Sequence, residues 1–163
     1  MKKMTLEIEN SLEIAELRAE IVSKRNNGEV LLEVKKIVPD GTVASFENPR
    51  EIIDLFVTQL GYAGLDARWK EINQEEAQKI ITFIMTKDLA YSVQLMSLQE
   101  AEKIFVKLFH FFSSNSKFFT NASFINNVSA MNAWDSITKA TFDTGVVILS
   151  DTRIGMVWVK DED

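Results

Sequence analysis

The chain has 163 residues, 46% hydrophobic and 26% charged, with no cysteine, one histidine and a formal net charge of −6. Length and composition fit one folded domain with an ordinary core, and they exclude a disordered chain, disulfides, thiolate nucleophiles and thiolate metal sites. No run approaches the roughly 18 apolar residues of a membrane span, and the charged opening Met1-Lys2-Lys3-Met4-Thr5-Leu6-Glu7 is no signal peptide, so a cytoplasmic location is expected.

The first predicted element is an amphipathic helix from Leu12 to Lys24. Asn10 and Glu13 have the spacing of a capping box, Ile14, Leu17, Ile21 and Val22 form its apolar side, and Asn26-Asn27-Gly28 ends it. Alternation of Val30, Leu32 and Val34 predicts a strand continuing through Ile37. Pro39-Asp40-Gly41 then supplies turn chemistry before the short run Thr42 to Phe46, which makes a hairpin from Val30 to Phe46. Asn48-Pro49-Arg50-Glu51 is a strong helix start, with Asn at the cap and Pro where its missing amide does no harm. The helix should reach Leu60 and end at Gly61, followed by an irregular connection from Tyr62 to Ile72 with a helical turn around Trp69.

A third helix starts near Asn73, buries Ile80, Ile81, Phe83 and Ile84, and is expected to break near Thr86 before resuming through Leu89 to Leu95. Ser97-Leu98-Gln99-Glu100 is another capping box, opening a fourth helix with a broad face of Ala101, Ile104, Phe105, Leu108, Phe109 and Phe112. Ser113 to Asn121 reads as a loop pinned by Phe118 and Phe119, and Phe124, Val128 and Met131 fit one side of a fifth helix. Three runs rich in β-branched residues follow: Ile137–Phe142, Val146–Leu149 and Ile154–Val159. With turns at Asp143-Thr144-Gly145 and Ser150-Asp151-Thr152-Arg153 they predict an antiparallel meander. The fold class is therefore expected to be α+β in one domain spanning 1–163: about five helices and a C-terminal three-stranded antiparallel meander, with the N-terminal hairpin as the candidate to extend it.

Catalytic signatures are sparse. His110 falls at helical spacing from Lys103 and Lys107, away from the phenylalanine stripe, as expected of a solvated position on a basic face. No Gly-x-Ser-x-Gly elbow and no glycine-rich phosphate loop occurs. Asp135, Asp143 and Asp151 flank the predicted strands and could meet around magnesium, but aspartate is also a routine turn former. Glu75-Glu76, Glu100 and Asp161-Glu162-Asp163 lack the spacing of a calcium loop.

These observations favour a non-catalytic protein-binding module with no cofactor, no metal, no direct nucleic-acid contact and no membrane contact. Within that class they point to an immunity-type inhibitor whose negative charge steers it onto a cationic toxin or nuclease. The residues expected to meet the partner are Asp143, Asp151, Trp69, Asp161, Glu162 and Asp163, with Tyr62 and Tyr91 as further aromatic candidates and Trp158 assigned to packing on helices. A homo-oligomeric structural or adaptor domain, joined through the edge of the terminal strand, is the alternative, and an enzyme with an unfamiliar carboxylate or metal site comes third.

Overall fold

The computed structural model describes residues 4–9, 11–39 and 48–162. The expected cap at Asn10, the Asp40-Gly41 turn, the strand Thr42–Phe46 and the tail residue Asp163 lie outside these residues. In chain order the elements are β1 (Met4–Ile8), α1 (Leu12–Lys24), β2 (Glu29–Pro39), α2 (Pro49–Gln59), a 3-10 turn (Asp66–Arg68), β3 (Lys70–Ile72), α3 (Gln74–Thr86), α4 (Leu98–His110), β4 (Lys117–Thr120), β5 (Ala122–Ile125), β6 (Ala130–Trp134), β7 (Phe142–Leu149) and β8 (Arg153–Asp161).

The helices start where short polar side chains accept a free amide. Ser11 accepts from the Ile14 amide, Asn48 from Arg50, and Asn73 from Glu76, while Ser97 and Glu100 form a complete capping box. Six strands make one sheet in the order β1-β2-β8-β7-β4-β3, every neighbouring pair antiparallel. Both faces are covered. Val34, Leu32, Phe118, Val146, Ile148, Val157 and Val159 point into a core with α1, α3 and α4, whereas Phe119, Val147, Leu149, Ile154, Met156 and Trp158 point into a second core with α2. Consecutive residues 143–149 of β7 and 154–159 of β8 are therefore buried, each serving the face its alternation selects.

The expected count of five helices with a three-stranded C-terminal meander is corrected to four α-helices and eight strands among the described residues. The segment assigned to a fifth helix is instead the β5–β6 hairpin. Phe124 and Val128 have helical spacing, but Asn126, Asn127 and Val128 turn the chain with φ of 50°, 57° and 62°, a left-handed conformation that asparagine tolerates well. Ile137–Phe142 is not a strand, apart from Phe142 itself. Asp143-Thr144-Gly145 is not a turn but the interior of β7, where Gly145 pairs with Trp158 and a Cβ would collide with the Val157 carbonyl oxygen. β8 is an interior strand held between β2 and β7, so the terminal strand offers no sheet edge. On its other side β2 pairs with β1, a strand absent from the expected elements. The α3 helix stops at Thr86 without resuming, because Asp88 turns back to accept from the Tyr91 and Val93 amides at 3.0 and 2.6 Å.

Candidate protein-binding surface

Most of the acids and aromatics singled out in the sequence are internal struts. Asp161 is buried against Arg25, whose Nη2 donates to Oδ2 at 2.8 Å and Nη1 to Oδ1 at 3.1 Å, and Oδ2 also accepts from the Leu89 amide at 2.7 Å. The remaining guanidinium donors reach the carbonyls of Ile84, Asn27 and Lys87. One buried ion pair thereby ties the C-terminal end of α1 to the end of α3 and to β8, with the guanidinium fully satisfied.

Asp143 is fully buried. Its Oδ1 accepts from Trp158 Nε1 and from the Ile137 amide, each at 3.1 Å, and its Oδ2 from Thr138 Oγ1 at 2.9 Å. Beside it, Asn121 donates to the Asp143 and Asp135 carbonyls and accepts from Thr144 Oγ1. Trp69, 1% exposed, gives its Nε1 hydrogen to Asp54 at 2.7 Å and meets Trp158 edge-on at a centroid distance of 6.1 Å. Trp158 packs beneath α2 in the same core.

Asp151 and Glu162 are exposed, but at opposite ends of β8: Asp151 in the turn before it, and Glu162 after it, accepting from Thr141 Oγ1 at 2.8 Å. Tyr62 is half-buried under the Lys160 ammonium, and Tyr91 is exposed in the loop that Asp88 organises. The structure thus brings none of these together as one surface. Of the three aspartates considered for magnesium, Asp143 is internal, Asp135 faces Arg68 at 3.4 Å and Asp151 sits in a turn. Among the described residues no group of three or more His, Asp or Glu side chains could hold a metal ion.

A different region collects exposed apolar and acidic side chains. The outward side of α1 presents Leu12, 74% exposed, next to Ile8 at the end of β1, 72% exposed. Between α1 and α4 runs a groove of about 400 Å³ lined by Glu13, Glu16, Leu17, Glu20, Val106, Lys107, His110 and Phe111, and Val106 is 65% exposed. The three glutamates differ in state. Glu20 accepts from Lys107 at 2.6 Å and from Lys24 at 3.2 Å. The Lys107 bond, assisted by Lys24 and opposed by partial burial, holds its carboxyl below the ordinary value. Glu13 and Glu16 are exposed, and among the described residues neither has a cation within ion-pair distance.

Compared with known proteins, this chain matches no family model, no curated protein and no solved structure. Its own surface therefore carries the functional reading. Sequence reasoning passed over that surface although its signal was present: Leu12 and Val106 are apolar residues off the stripes of their helices, and Val22, expected on the core side, is 52% exposed. Among the described residues no helix is long and apolar enough to cross a membrane.

Proposed function

We propose that this protein is a non-catalytic binding module of the immunity type, which docks through the outward face of α1 and the α1–α4 groove onto a cationic toxin or nuclease and blocks its active site. The observation that carries the reading is the combination on one helix of exposed Leu12 with Glu13 and Glu16, two carboxylates lacking ion-pair partners among the described residues, beside exposed Ile8 and Val106. Apolar side chains of this kind supply the dry centre of an interface, and unpaired acids steer a basic partner and complement its rim. The overall charge of −6 acts in the same direction at longer range. The reading assigns the protein to the cytoplasm of the cell that makes it, where an inhibitor must meet its target before the target acts.

The test is affinity capture from native cells at low salt, followed by a nuclease or toxicity assay on the retained protein. A stoichiometric basic partner whose activity is lost on binding supports the reading. Retention of that partner by an Leu12→Lys/Glu13→Lys/Glu16→Lys variant would remove α1 from the interface.

A second reading is self-association through β1, one of the two edge strands of the sheet among the described elements, with Ile8 exposed at its end. Sedimentation decides it. A dimer abolished by Ile8→Lys favours this reading, and a monomer at all accessible concentrations removes it.

A further inference from the structure

We propose that Asn27 is a site of spontaneous deamidation and isoaspartate formation, and that this modification loosens the buried Arg25–Asp161 pair. Asn27 is the single asparagine of the chain followed by glycine. It lies exposed in the bend between α1 and β2, and among the described residues the Gly28 amide donates no hydrogen bond. A glycine nitrogen is unshielded by any Cβ, so it can reach the neighbouring side-chain amide carbon. Gly28 N, on losing its proton, attacks Asn27 Cγ. The new N–Cγ bond closes a five-membered succinimide and Nδ2 departs as ammonia, taking up a proton. Water then adds to either ring carbonyl and opens the ring, giving an α-linked or a β-linked aspartate with no change of oxidation state.

The glycine that makes Asn27 labile is fixed by the fold. Gly28 has φ +72°, and a Cβ there would fall on Asp161 Oδ1 and lie 2.8 Å from the Lys160 carbonyl oxygen. Substituting it to protect Asn27 would disturb the same contact. Meanwhile the Asn27 carbonyl accepts from Arg25 Nη1 at 2.7 Å, one of the bonds that satisfy the buried guanidinium. In the β-linked product the chain runs through Cγ and gains a methylene directly before Gly28, which sits against Asp161 and the Lys160 carbonyl. The former carbonyl becomes a free carboxylate, which competes with Asp161 for Arg25. The α-linked product keeps the backbone carbonyl and its geometry.

The experiment ages the full chain at mildly alkaline pH. It follows each asparagine by peptide mass mapping, isoaspartate by enzymatic methyl labelling, and stability by calorimetry. The expected result is amide loss and isoaspartate at Asn27 ahead of Asn115, Asn126 and Asn127, with a Tm drop of about 2–4 °C in the isoaspartyl fraction. Asn27→Gln should keep its Tm through ageing, and Asn27→Asp, which copies the α-linked product, should stay near the wild-type Tm. Retention of the Asn27 amide while other asparagines convert would overturn the site. An isoaspartyl fraction that melts with unaged protein would overturn its link to Arg25.

Discussion

Replacing Asp161 by Asn leaves the Arg25 guanidinium, whose side chain is 0% exposed, with no compensating charge. Breaking a buried pair by removing one partner costs about 3–5 kcal/mol, a large share of the roughly 5–15 kcal/mol that holds a domain together. At about 2–4 °C per kcal/mol for a chain of this size, the melting temperature should fall by roughly 6–20 °C. The three bonds from Arg25 to the Ile84, Asn27 and Lys87 carbonyls persist in the variant, so the loss should sit toward the lower end. Calorimetry measures the Tm, and urea denaturation gives the free energy with a slope that should match wild type. Arg25→Met should cost a similar amount, and the double variant less than the sum of the singles, because each single change already breaks the same contact. A fall of under about 1 kcal/mol for Asp161→Asn, or additive costs in the double variant, would refute the reasoning that the pair is a coupled internal tie.

Asp143→Asn turns an acceptor into a donor opposite Trp158 Nε1 or Thr138 Oγ1 and should cost at least about 1–3 kcal/mol in urea denaturation. A neutral result would mean Asp143 does not bind those donors. For acid stability, the lowered Glu20 carboxyl means that the unfolded chain binds this proton more readily than the folded one. The stabilisation is therefore present above the ordinary glutamate value of about 4.3 and is lost as pH falls through the lower folded value. Lys107, whose side chain is 55% exposed, contributes weakly through solvent screening. Lys107→Met should cost about 0.5–1 kcal/mol near neutrality, and that gap should close in acid; a gap that widens in acid contradicts the assignment.

Helix starts were legible because capping is local: the polar residue and the amide it satisfies lie within one turn, as at Asn48, Asn73 and Ser97. Sheet membership was less so. The unbroken apolar runs Val146–Leu149 and Met156–Val159 signal a sheet covered on both faces, yet no local feature says that β2 inserts beside β8. The Ser and Asn content of Ser113 to Asn121 reads as a loop pinned by Phe118 and Phe119, yet in β4 these two side chains serve opposite cores. Asp143-Thr144-Gly145 has turn composition, and only the neighbouring strand explains the residues: the Val157 carbonyl and Trp158 leave no room for a Cβ at Gly145, and the Trp158 indole donates to Asp143. The candidate site suffered most. Asp143, Asp161 and Trp69 are polar or amphipathic groups that bond to partners in other segments, Trp158, Arg25 and Asp54, and burial of such groups is decided by tertiary contacts that sequence spacing does not record.

The central claim is that the acidic, partly apolar face of α1 meets a cationic protein, and the association rate of the captured partner across a range of ionic strength tests it most directly. Wild-type association should slow as salt rises, and Glu13→Gln/Glu16→Gln should be slower at low salt with a flatter salt dependence, while Asp151→Asn/Glu162→Gln follows wild type more closely. An association rate that ignores salt, or that is unchanged by neutralising Glu13 and Glu16, would contradict the account.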